Sequence, residues 1–341
     1  MSEVETYFTH SLTTIDHFGE RDELGDELLH HQARETVDSP WLNETQFFGF
    51  HVPEHQIGFF GYLRVHNNLE QAATVAVGWR GFKEHPIAAD LIDVRNYQNM
   101  DFLGDDLHHY VSPSSYSVTM EQPGKRYRVQ YDDPARGNRV DVRYEATIET
   151  VVWPTQRHLD QIMRARGEIV LRGTRYPVDC LTVRDRSWGE VRPEVPQTIP
   201  PPAWLNGAFS DDDGFCVTLI DDPARNPIWR DRMEMDPTKC LKSGWIARDG
   251  KVAFIRKASK LTLYSNRRTL LPGGVEVDLT DTLDRTMRLR GTPVCACPAG
   301  SWVNIRTYDI VMKWERDDGA VSYGIMLEPQ FNDFVLAMTE G

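Results

Sequence analysis

The stretch from Arg139 to Val151 constrains this chain more than any other. Val140, Val142, Tyr144, Ala146 and Ile148 alternate there with Asp141, Arg143, Glu145, Thr147 and Glu149. Period-two alternation puts the apolar side chains on one face of an extended strand and the charged ones on the other. A strand of that kind belongs to an antiparallel sheet with one wet face. Apolar runs bounded by turn residues precede it at 57–66 and 72–79, and follow it at 167–171, 176–183, 214–220, 252–257, 275–279, 302–314, 321–327 and 334–338. Asp213-Gly214, Asp249-Gly250, Gly273-Gly274 and Asp318-Gly319 sit between such runs and read as hairpin connections. Helical spacing is confined to the acidic segment Ile15 to Leu29, which reads as one or two short helices or an irregular arm, to Pro154 through Arg166 and to Ala224 through Met235. Without a crossover helix after each strand a parallel α/β sheet is disfavoured, and the expectation is an all-β chain of barrels or sandwiches.

At 341 residues the chain exceeds one ordinary domain. Pro193, Pro196, Pro200, Pro201 and Pro202 fall within ten residues, and none can donate a backbone hydrogen bond. They mark the expected boundary between an N-terminal arm plus first β domain, 1–192, and a second β domain, 193–341. The formal charge of −13 opposes binding to phosphate backbones, so no nucleic-acid partner is expected. No run approaches 18 apolar residues, and from the acidic start Met1-Ser2-Glu3-Val4-Glu5 neither a leader nor an anchor is expected. Cys180, Cys216, Cys240, Cys295 and Cys297 are odd in number and lack secretory context, which makes reduced thiols and a cytoplasmic location the expectation. A homo-oligomer is left open.

Metal and phosphate signatures are weak. His51 and His55 have chelating spacing only on a helix, and Pro53 interrupts one. Cys295 and Cys297 lack a second pair at zinc-site spacing, and Asp211-Asp212-Asp213 lacks calcium-loop spacing. No Gly-rich phosphate loop or Gly-x-Ser-x-Gly elbow occurs. No metal and no cofactor are therefore expected.

The run Val183-Arg184-Asp185-Arg186-Ser187-Trp188-Gly189 stands apart. In an apolar-lined barrel Asp185 could be desolvated while an arginine holds its charge state and Trp188 forms a cavity wall. The alternative is a structural corner, with Asp185 on backbone amides and Arg184 paired to a carboxylate. Strand alternation places Asp185 and Ser187 on one face and Arg184, Arg186 and Trp188 on the other.

The order His158-Leu159-Asp160-Gln161, Gly167-Glu168-Ile169, Gly173-Thr174-Arg175-Tyr176-Pro177-Val178-Asp179 and Arg184-Asp185-Arg186-Ser187-Trp188-Gly189 resembles the hydroxyneurosporene synthase-like family, which includes carotenoid 1,2-hydratase and kievitone hydratase. Trp41-Leu42-Asn43-Glu44 and Tyr323-Gly324-Ile325-Met326-Leu327-Glu328 add weaker similarity. The resemblance implies two consecutive lipocalin-like β domains and acid-catalysed hydration of an isoprenoid double bond without a cofactor. By motif position Asp185 matches the family's acid and Trp188 its aromatic wall. Glu328, His158, Asn43 and Glu44 are candidates for the polar complement, and Arg184 and Tyr323 for substrate contact. Arg186 stands where the family commonly has histidine, and a permanent cation beside Asp185 would lower the pKa of a proton donor. The expected activity is a hydratase, dehydratase or isomerase acting on a small hydrophobic terpenoid, steroid or prenylated molecule at the domain junction. A carrier of the same ligands and a cyclase are the alternatives.

Overall fold

The computed structural model describes residues 26, 29, 42–104, 106–155, 157–190, 200–222, 225, 226, 228, 236–266, 269–302 and 305–339. The strands of the first sheet are β1 (Leu42–Val52), β2 (Ile57–His66), β3 (Gln71–Arg80), β4 (Leu91–Asn99), β5 (His109–Val111), β6 (Ser117–Gln122), β7 (Arg126–Asp133), β8 (Asn138–Ala146), β9 (Val151–Val152), β10 (His158–Leu171) and β11 (Thr174–Glu190). They are ordered β4-β3-β2-β1-β11-β10-β8-β7-β6-β5, with β9 added on β10. A second set, β12 (Ala203–Ala208), β13 (Gly214–Leu219), β14 (Leu241–Arg248), β15 (Lys251–Asn266), β16 (Leu271–Asp281), β17 (Thr286–Trp302), β18 (Ile305–Arg316) and β19 (Val321–Phe331), closes into an eight-stranded barrel. Helix α1 (Asn332–Thr339) follows. The chain is all-β, as its turns and alternation lead one to expect, and has the two-part lipocalin-like architecture that the family resemblance implies.

Strand β8 has the alternating burial its sequence predicts, but it ends at Ala146. Asp249 and Gly250 both take positive φ, 54° and 68°, between β14 and β15, as a type I′ hairpin requires. Gly273-Gly274 is not a turn and lies inside β16. The helix expected over Pro154 to Arg166 is also overturned, because this segment enters β10. Residues 159–163 are buried without a break, since both faces of the strand are covered, and the alternation that would have betrayed a strand is absent. The expected helix at 15–29 lies outside the described residues apart from Asp26 and Leu29. The one at 224–235 lies outside them apart from Arg225, Asn226 and Ile228, and so does most of the proline-rich boundary.

Three apolar layers result. One fills the inside of the first sheet, around Phe48, Phe50, Tyr127 and Tyr144. Another fills the closed barrel, around Phe215, Ile246, Tyr308 and Trp314. Between them Phe47, Phe60, Tyr62 and Trp79 of the first sheet meet Trp204, Cys216, Trp245 and Ile325 from the outside of the barrel. Barrel closure is tight at Gly324, where a Cβ would lie 2.0 Å from the Asn206 carbonyl oxygen. All five cysteines are buried and free.

Candidate acid site between the sheets

Register across the first sheet aligns Tyr62, Phe47, Asp185 and Asp160 on four neighbouring strands, β2, β1, β11 and β10. Residues opposite one another share a face, and Phe47 and Tyr62 belong to the layer that meets the barrel. Asp185 therefore faces the junction. On β10 the two-residue spacing puts His158 beside Asp160, and their side chains meet at 2.9 Å, Nε2 to Oδ1. The other Asp160 oxygen accepts the indole N–H of Trp153 at 2.6 Å and that of Trp245, from the barrel, at 3.1 Å. Asp160 is thus held by both sheets.

Burial and charge then set the protonation states. Desolvation works against ionised Asp160, but the His158 charge and three hydrogen bonds outweigh it and hold its pKa below the ordinary value. Burial also opposes charged His158, yet the Asp160 carboxylate, aided by Asp185, raises it above 6.5. For Asp185 desolvation wins. Its pKa rises to about 7, with His158 and Arg184 pulling it down and Asp160 pushing it up. A carboxyl group close to half-protonated at neutral pH, next to a His–Asp pair whose contact favours the ionised forms of both, can both give and take a proton.

The arginines face the opposite way. Arg184 is bonded through NH1 and NH2 to Asp26 at 3.2 and 3.0 Å, and through Nε to Gln161 at 3.0 Å. Arg186 pairs with Glu44 at 3.0 Å and with Asp26 at 3.6 Å. Both lie inside the first sheet, across the strand from Asp185, and Arg186 is not among the charges that act on it. This removes the conflict that Arg186 poses in the sequence. Arg184 does pair with a carboxylate, as in the structural-corner alternative.

The remaining candidates are dispersed. Asn43 is buried on β1 and donates to the Gly189 carbonyl at 3.1 Å. Glu44 receives Asn67 Nδ2 at 2.7 Å inside the first sheet. Trp188 lies across from Glu44, on the arginine face. Tyr323 is at the junction, its ring 6.1 Å from that of His51. His51 is four residues along β1 from Phe47, about 13 Å at strand rise, so Tyr323 is remote from Asp185. Glu328 alternates with barrel-facing Met326 and bonds Tyr264 at 3.1 Å and Gln330 at 2.8 Å inside the barrel. Burial raises it to about 7, but it belongs to a separate polar cluster with Lys260 and Asp221. The structure brings together Asp185 and His158 and adds Asp160, Trp153 and Trp245. Reading 158–160 as a strand would have exposed the His-x-Asp pair.

Two surface recesses, of about 390 and 530 Å³, lie elsewhere on the first sheet, and neither is lined by Asp185, His158 or Asp160. No helix among the described residues is long and apolar enough to cross a membrane.

Residues 25–333 match the model of a single family. The chain belongs to the family described as Domain of unknown function (DUF7064). No curated protein sequence matches it. Among solved structures this DUF7064 protein is similar to one from Nitrosomonas europaea provisionally named AttH, with a TM-score of 0.62 and 12% identity over 89% of this chain and 97% of that one. It is also similar to kievitone hydratase from Nectria haematococca, with a TM-score of 0.51 and 9% identity over 91% and 95% of the two chains. CghA in complex with Sch210972 matches with a TM-score of 0.51 and 12% identity over 86% and 90%. At such identities the likeness is one of fold.

Proposed function

We propose that this DUF7064 protein is a cofactor-independent enzyme that moves protons on an apolar, unsaturated substrate, as a hydratase, dehydratase or isomerase, with Asp185 as the acid and base. The observation that carries this reading is the position of Asp185. It lies on the junction face, has a pKa raised to about 7 and neighbours the His158–Asp160 pair under the Trp153 and Trp245 indoles. The resemblance of the Arg184 to Gly189 run to the hydroxyneurosporene synthase-like family, and the shared fold with kievitone hydratase, support the substrate class: isoprenoid, steroid or prenylated phenol.

In hydration, protonated Asp185 gives its proton to one alkene carbon as the π bond breaks, leaving a tertiary carbocation on the other. The nearby indole of Trp204, which packs edge-on against Phe47 at 5.5 Å, offers a ring for that cation. Water adds to the cation, and the Asp185 carboxylate takes the proton that the water loses. Dehydration runs the same steps backwards, and isomerisation loses a neighbouring carbon-bound proton instead of adding water. His158, whose charged form the Asp160 carboxylate favours, stabilises the Asp185 carboxylate formed midway. Arg184 and Arg186 serve this reading as anchors behind the strand.

Kievitone and other prenylated phenols are the first compounds to assay, with product followed by mass spectrometry. Asp185→Asn should lower turnover by about 10²–10⁴-fold, the usual worth of a positioned acid or base, while ligand affinity changes little. Unchanged turnover in Asp185→Asn would remove Asp185 from the chemistry. An apolar molecule that co-purifies with the protein and is bound tightly, with no product from it or any assayed compound, would favour a carrier.

A further inference from the structure

The inside of the first sheet holds a second polar constellation, on the face of β11 that the acid site does not use. Asp26 enters it from the N-terminal part of the chain. Its carboxylate is gripped end-on by Arg184, approached by Arg186, and hydrogen-bonded by the Tyr127 hydroxyl and by Gly124 N–H at 3.2 Å. The Arg184 guanidinium also lies over the Tyr127 ring, 4.5 Å from its centre. A forked guanidinium, a phenol and a backbone amide converging on one carboxylate form a carboxylate receptor. Three residues after this acid, Leu29 buries its side chain in the surrounding apolar cluster. The segment thus presents an acid and an apolar group together, as an amphiphilic acid would.

Two further observations point to a ligand beyond Asp26. Gln46 is 1% exposed and faces the same interior, where its Oε1 accepts from Tyr110 at 2.9 Å, while its Nε2 has no partner among the described residues. The Tyr144 hydroxyl, on a fully buried residue whose ring packs at a tilt against Phe48, has none either. Two buried donors left unmatched are costly and call for an acceptor. The recess of about 390 Å³ lined by Lys125, Arg126 and Glu145 adjoins Gly124, the residue whose amide holds Asp26.

We infer that the interior of the first sheet is a binding site for an apolar or aromatic carboxylate, occupied here by the chain's own Asp26 and Leu29 as an intramolecular competitor. An incoming acid exchanges its carboxylate for that of Asp26 on Arg184 and Arg186, puts its apolar body where Leu29 lies, and offers acceptors to Gln46 and Tyr144. No bond is made or broken. The site is independent of the chemistry proposed for Asp185, and a variant without turnover can still be tested for it.

The test is calorimetric titration of 4-hydroxybenzoate into the full chain and into Asp26→Ala, with Asp26→Asn in its place if the alanine variant does not fold. Removing the tethered competitor should tighten binding by about tenfold or more, because the competent state is no longer a minor one. The gain should vanish for 4-hydroxybenzyl alcohol, which lacks the carboxylate, and when Arg184→Met is added. Equal affinity of the two proteins overturns the inference, as does a gain that survives Arg184→Met. It is also overturned if acetate raises the melting temperature of the Asp26 variant as far as 4-hydroxybenzoate does at the same concentration, since the pair would then be a structural ion pair alone.

Discussion

Asp26 and Asp185 are two desolvated carboxyl groups on opposite sides of the first sheet, and their environments drive them in opposite directions. Desolvation is the largest influence on each and favours the neutral acid. Asp26 meets two guanidinium groups and a phenol, which overcome that influence and keep it ionised far below the ordinary carboxylate range. Asp185 meets one imidazolium that is already shared with Asp160, and desolvation prevails. The cations and hydrogen-bond donors within reach of a desolvated acid, more than its depth, decide whether it becomes an anchor or a proton donor.

The comparison breaks most severely at Arg184. Replacing it with leucine leaves Asp26 with only part of its compensation, and the expected loss is about 3–5 kcal/mol in urea unfolding, because an unmatched charge stays buried. A comparable loss is not expected from Asp185→Asn, which takes nothing from the arginine network.

The pH dependence of stability should separate the two acids by sign. Asp26 has a folded pKa below its unfolded value near 3.8, so it contributes stability above that value that is lost as pH falls through it toward the folded pKa. Asp185 has a folded pKa of about 7, so its contribution is fully present below 3.8 and is lost as pH rises from there through about 7. In melting curves across this range, Asp26→Asn should flatten the acid limb, and Asp185→Asn should remove the decline toward neutrality. Equal profiles for both variants would erase the distinction.

A finer effect is expected on catalysis. His158 is the strongest influence lowering the pKa of Asp185 after burial is counted. His158→Gln should therefore move that pKa further above about 7, and the limb of the pH–rate profile that reports Asp185 should shift to higher pH. The smallest change belongs to Trp245→Phe, which removes one indole hydrogen bond to charged Asp160 and should cost about 1.5–3 kcal/mol in denaturant unfolding. It sharpens the comparison because Trp245 is the barrel's own contribution to the acid site.

Much of this was legible in the sequence. The alternation in β8, the Asp249-Gly250 hairpin and the scarcity of crossover helices determine an antiparallel all-β chain, since strand period and turn dihedrals are local properties of residue type. Alternation also places Asp185 opposite Arg184 and Arg186 before any partner strand is known. Local pattern failed where burial was two-sided: β10 runs between the inside of the first sheet and the junction, so its apolar positions show no period and its His158–Asp160 pair was hidden. Only the tertiary structure decided which face of β11 meets the barrel and that Asp26 reaches Arg184 across 158 positions of sequence. It likewise brought Trp245 to Asp160 from another sheet. These contacts depend on long-range strand pairing and sheet packing, and the charge state of Asp185 follows from them, because a carboxyl group's pKa is set by the groups around it in space.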